Sequence, residues 1–135
     1  MKEISSWQKA LLLTRAALEK KACDLVVLDV HEQTSIADYF IVCSGRSDRQ
    51  VQSIAQGVDE NGADEGIKPF AIEGTQRGHW VLMDYSDVIV HIFYHPVREF
   101  YDLDGLWGHA PRANLPEAYA SLVEQFQIAE QRVFS

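Results

Sequence analysis

Residues 79–93, HWVLMDYSDVIVHIF, hold two apolar runs separated by a short polar knot. The pattern predicts a β-hairpin. A two-residue turn at Tyr85–Ser86 pairs Asp84 with Asp87, Leu82 with Ile89 and Trp80 with His91. Side chains alternate across a strand, so the register sorts them into two faces. Val81, Met83, Val88, Val90 and Ile92 make one face, which reads as core. Trp80, Leu82, Ile89, His91 and Phe93 make the other, with Asp84 and Asp87 at its end. This second face has two interpretations. Helices cover it and His91 is a satisfied core histidine, or part of it is exposed and Trp80 anchors a partner. Tryptophan and tyrosine dominate interface energetics, so the second interpretation has a physical basis. Tyr-Ser supplies neither Gly nor Asn for a primed turn, and a longer loop is expected.

Working outward, Ser5 through Lys21 reads as a helix opened by a Ser5/Gln8 capping box. Trp7, Leu11, Thr14 and Leu18 share one stripe of it. DLVVLDV (24–30) and DYFIVCS (38–44) read as strands. The loop between them is too short for a crossover helix, which predicts an antiparallel pair. Ser47 and Gln50 repeat the capping pattern, and Val51, Ile54, Ala55 and Val58 form one helix face that fades near Asn61, Gly62 and Gly66. IKPFAIEG (67–74) is a third strand, placed at an edge or a strand start by Pro69. PVREFYDLDGLWG (96–108) reads as a helix that breaks at Gly105. PRANLP (111–116) is a linker. The stretch from Pro116 to Val133 reads as a final amphipathic helix with Ala118, Leu122, Phe126 and Ala129 on one face. The order α-β-β-α-β-β-β-α-α predicts a single α/β (α+β) domain, a mixed five-stranded sheet with packed helices.

The chain has 135 residues, suited to one domain with one real core. Net charge is −8, which argues against direct, sequence-specific nucleic-acid binding. Asp84, Asp87, Glu99, Asp102 and Asp104 crowd residues 84–104 against Arg98, a surface suited to a cationic partner or simply to solvent. No apolar stretch approaches the roughly 20 residues of a membrane helix. The first 21 residues resemble neither a secretory signal nor a transit peptide, and the cytoplasm is the expected compartment. Cys23 and Cys43 form no CxxC motif and read as buried thiols. No metal and no cofactor are expected.

The sharpest enzyme hypothesis is a metal-dependent nucleotidyltransferase. CSGRSD (43–48) follows a strand and opens a helix, where free N–H groups hold anions. The phosphate-loop pattern is absent, however. Two-metal chemistry also needs convergent carboxylates. The one Asp-x-Asp, Asp102 and Asp104, falls in a helical stretch where the two side chains diverge. His91 and His95 are spaced for a metal only on a helix, and His79 and His91 fall on opposite strand faces. No Gly-x-Ser-x-Gly elbow occurs.

DYFIVCSGRSDRQVQSIA (38–55), IEG (72–74), WVLMDYSDVIVHIF (80–93) and REFYDLDGLWGHAP (98–111) together resemble the ribosomal silencing factor family, also called iojap. The resemblance covers roughly residues 6–112. It implies a nucleotidyltransferase-like fold without the catalytic acids, and a protein that is no enzyme. It implies binding to the large ribosomal subunit through its L-fourteen-class protein, which blocks subunit joining and represses translation under nutrient limitation. Some members pair when free, so a homodimer is a second implied assembly. Carried over by motif, the partner-binding residues are Trp80, Asp84, Tyr85, Asp87, His91, Arg98, Tyr101, Leu106 and Trp107. Ser86 stands where the family turn has glycine, and TQRGH (75–79) departs from the expected acidic loop. Residues 1–112 form the family-like domain, and 113–135 are a linker and helical extension.

Overall fold

The computed structural model describes residues 4–128. The elements, in order, are α1 (Ser6–Glu19), β1 (Cys23–Asp29), β2 (Tyr39–Gly45), α2 (Asp48–Asp64), β3 (Ala71–Glu73), β4 (Trp80–Asp84), β5 (Val88–Tyr94), α3 (His95–Tyr101), α4 (Leu103–Leu106) and α5 (Glu117–Gln125). The capping box of α1 forms in full, with Ser5 and Gln8 each satisfying the other's backbone N–H. In α2 it forms in part. Ser47 accepts from the Gln50 N–H, while the Gln50 side chain accepts from the Arg46 N–H instead.

The five strands run in the order β1-β2-β5-β4-β3. β1 and β2 are antiparallel, as the short connection predicts, and β3 is an edge strand, as Pro69 predicts. β2 and β5 are parallel, in register from Tyr39 opposite Val88 to Gly45 opposite Tyr94. β5 therefore lies in mid-sheet and is buried from Val88 to Phe93. On one side of the sheet α1 and α2 pack a core that includes Leu13, Ile54, Val81, Met83, Val90 and Ile92. On the other, Val26, Leu28, Phe40, Val42, Phe93 and Leu103 form a smaller core.

The hairpin departs from its expected register. Tyr85 and Val88 close the turn through the Tyr85 N–H and the Val88 carbonyl at 2.9 Å, so Ser86 and Asp87 are the turn residues. Trp80 then faces Phe93, and Leu82 faces His91. The shift is two residues, an even number, so the division into faces survives. The loop is not lengthened either. Ser86 adopts φ 78°, the conformation glycine favours, and its N–H donates to Asp84 Oδ1 at 2.8 Å.

Two helical expectations also change. The segment after Pro96 breaks at Asp102, not at Gly105, because Asp102 takes φ 49° and its carboxylate caps the Gly105 N–H of α4. The last helix ends at Gln125, and Ala129 lies outside the described residues. Residues 111–128 run along the outer edge of β1. Ala113 N–H donates to Val27 O, Asp29 N–H to Pro111 O, and Asp24 N–H to Phe126 O, at 2.8, 2.8 and 2.9 Å. Leu115, Tyr119, Leu122 and Phe126 pack on the main core. The expected extension thus covers a strand edge that would otherwise be free to pair with another chain.

A left-handed residue with a Cβ is strained, so Ser86→Gly is expected to stabilise the fold by about 1 kcal/mol. Urea unfolding checks it: the midpoint rises and the m-value stays constant.

Candidate partner-binding face

The face opposite α1 and α2 is built on alternate residues of β4 and β5. Trp80 stacks on Phe93 with ring centroids 4.9 Å apart. Its indole N–H donates to His91 Nδ1 at 3.3 Å. Phe40 of β2 meets His91 at 5.2 Å and Trp107 at 4.9 Å, both edge-on. Tyr101 closes on Trp80 at 5.1 Å, and Phe100 meets Tyr101 edge-on at 5.1 Å. A continuous aromatic chain therefore links α3 and residue 107 across the sheet. Its base is buried and its rim is not. Phe93 is fully buried, while Tyr101, Leu106 and Phe100 are 51%, 75% and 81% exposed.

The exposure follows from the helices that lie there. Pro96 sits in the first turn of α3, which is short and buries no residue. α4 buries only Leu103. Arg98 holds the pair in place. Its guanidinium donates to both Asp104 carboxylate oxygens at 3.1 and 2.8 Å, to Asp24 O at 2.8 Å and to Ser44 Oγ at 3.0 Å. Burial by itself lifts the Asp104 carboxyl, but Arg98 overrides it and holds the group below its ordinary range. Arg98 is thus a clamp between α3, α4 and the sheet.

The nine residues carried over from the family motifs separate into groups. Trp80, His91, Tyr101 and Trp107 join the aromatic chain, and Leu106 stands exposed on α4. Asp84 is half-buried on the strand face of Trp80 and braces the turn. Tyr85 is not brought to this face; it is buried in the main core on the other side. Asp87 turns to α1, where it pairs with Lys9 at 2.6 Å and accepts from Ser6 Oγ at 2.9 Å. Burial raises its carboxyl and these hydrogen bonds more than reverse the effect. The expected acidic strip therefore has two members, Asp87 and Asp104, neutralised internally. Phe100 is absent from the motif-derived set, although Val97, Phe100 and Tyr101 recur at helical i, i+3, i+4 spacing.

Asp102 caps a helix while Asp104 binds Arg98, so the two carboxylates do not converge. Among the described residues no group of three His, Cys, Asp or Glu side chains is arranged to hold a metal ion. Cys23 and Cys43 are buried free thiols.

His91 is 5% exposed, and burial lowers its pKa to about 4. It is neutral at physiological pH. Accepting from Trp80 at Nδ1 leaves its proton on Nε2. Between about pH 6.5 and pH 4 the unfolded chain takes up a proton here that the folded chain refuses. Stability is therefore expected to fall as pH drops through that window, by up to roughly 3 kcal/mol. Urea titrations across the window check this, with His91→Gln giving a flatter profile. Asp87 and Asp104 are also held below their ordinary range, so they act in the same direction, and their contribution is lost as pH falls through a more acid window.

A model of the family described as ribosomal silencing factor during starvation matches residues 3–133. Ribosomal silencing factor RsfS of Bacillus subtilis is 42% identical over 110 residues, covering 80% of this chain and 93% of that protein. A crystal structure of a Chromobacterium violaceum protein superposes with a TM-score of 0.76 at 32% identity, covering 84% of this chain and 92% of that one. A second, from Bacillus halodurans, has a TM-score of 0.70 at 36% identity, covering 80% and 99%. The mixed five-stranded fold, the aligned motifs and the family match over nearly the whole length lead to one conclusion: the chain belongs to the ribosomal silencing factor family.

Proposed function

We propose that this chain silences ribosomes by occupancy. It binds the large ribosomal subunit through the L-fourteen-class protein, fills space that the small subunit needs, and so represses translation under nutrient limitation. The step breaks no covalent bond. The observation that carries this reading is the aromatic face, with Phe100, Tyr101 and Leu106 exposed around a Trp80 base. Contiguous exposed apolar surface marks interaction sites, and buried aromatic anchors supply most interface energy. A net charge of −8 favours encounter with a basic ribosomal protein. The action belongs in the cytoplasm, where subunits join. No helix among the described residues is long and apolar enough to cross a membrane.

Light scattering of purified small and large subunits tests the proposal. Joining is expected to fall with dose when the large subunit is first incubated with the chain; unchanged joining at every dose overturns it. Phe100→Ala and Leu106→Asp are expected to weaken large-subunit binding on the order of tenfold, about 1.4 kcal/mol. Both side chains are exposed, so thermal midpoints should hardly move. Sizing of the free chain against the complex separates self-pairing from partner binding at the same face.

A further inference from the structure

We propose that the cleft between the β3–β4 loop and α3 binds a small anionic aromatic molecule of the nucleotide class. The cleft holds about 770 Å³, within the range of small-ligand sites. One wall is Thr75, Gln76 and Arg77; the other is Phe100 and Tyr101, with Trp80 between them.

The loop wall is held in place by backbone bonds. The Gly78 N–H donates to Gly74 O at 3.1 Å, and Gln52 Nε2 of α2 donates to Thr75 O and Gln76 O at 2.9 and 3.0 Å. Gly74 has φ 89°, and a Cβ there would lie 2.0 Å from Trp80 O, so loop and strand meet at closest approach. These bonds use carbonyls and leave the Thr75, Gln76 and Arg77 side chains exposed. The site is thus already shaped before any ligand arrives, which lowers the ordering cost of binding.

Its charge runs against the rest of the molecule. The chain carries 20 acidic and 12 basic residues, yet no carboxylate lines this cleft. Arg77 does, and among the described residues its guanidinium is in no ion pair and no hydrogen bond. An aromatic wall offers a stacking partner to any flat ring, and a guanidinium forks onto phosphate oxygens. A planar base joined to a phosphate combines both needs. Trp80, Phe100 and Tyr101 also belong to the proposed ribosomal face, so a bound nucleotide competes with the ribosomal partner. That regulation rests on the proposed function; binding to the free chain does not.

The test is a nuclear magnetic resonance titration of the full chain, without ribosomes, using AMP, GDP, adenosine and inorganic phosphate. Saturable shifts are expected for AMP or GDP at the Trp80 indole and at the amides of residues 75–77 and 100–101. Adenosine and phosphate are each expected to bind on the order of tenfold more weakly. Arg77→Glu, at an exposed position, is expected to weaken the nucleotide by a similar factor while leaving the free spectrum otherwise unchanged. The proposal fails if neither nucleotide gives saturable shifts, if the shifts lie outside the cleft, if adenosine or phosphate alone binds as well, or if Arg77→Glu binds like the parent. Subunit joining plays no part in this readout, so loss of the ribosomal reading leaves it intact.

Discussion

The parallel ladder between β2 and β5 is the constraint on which the remaining structure depends. It sets Tyr39 opposite Val88 and continues in register to Gly45 opposite Tyr94. Parallel strands cannot be joined by a tight turn, so the chain between them must cross over. Here the crossover contains α2, β3 and β4. With β2 on one side and β4 on the other, β5 loses both edges to neighbours and both faces to helices. That is why a histidine at position 91 ends in apolar surroundings, neutral and hydrogen-bonded to an indole.

The two faces of the sheet are covered unequally, and the candidate site arises from that inequality. α1 and α2 lay long apolar stripes on one face, and α5 adds to them. The other face receives α3 and α4, of seven and four residues. They bury only Leu103 fully, and the Arg98 clamp helps to hold them on the sheet. Phe100, Tyr101 and Leu106 are left outward, around a base of Phe93, Trp80 and His91 that cannot shift without disturbing mid-sheet. A rigid base with an exposed aromatic rim suits a protein that works by occupying space, because little order remains to be gained on binding.

The same economy appears at the sheet edges. β3 is three residues long, and a short edge strand is a poor template for pairing. β1 is longer and is covered by residues 111–128. Asp24 is the fastening point. It adopts φ 49° beside a register shift in β1, its N–H donates to Phe126 O, its carboxylate accepts from the Ile128 N–H, and its carbonyl accepts from Arg98. The segment that closes the β1 edge and the clamp that holds the aromatic face thus meet at one residue.

Apart from the division of one expected helix into α3 and α4, the existence of the elements was legible in the sequence, since capping pairs, period-two runs and helical stripes act over a few neighbouring residues. The sorting of the hairpin into faces was legible for the same reason, because parity withstands an even slip in register. The slip itself was not: Ser86 takes a positive φ that its residue type disfavours, and the ladder with β2 and the Asp84 bond sustain it. Tyr85, beside the turn, and Asp87, within it, read as partner contacts from motif position, yet long-range packing draws one into the main core and the other to Lys9. Arg98 likewise reads as a surface cation until Asp24 and Ser44 from two distant strands, and Asp104 from the next helix, gather around it. Local periodicity fixes which side chains share a face. Whether that face is covered or open depends on the length and docking of remote elements, and only the assembled sheet decides it.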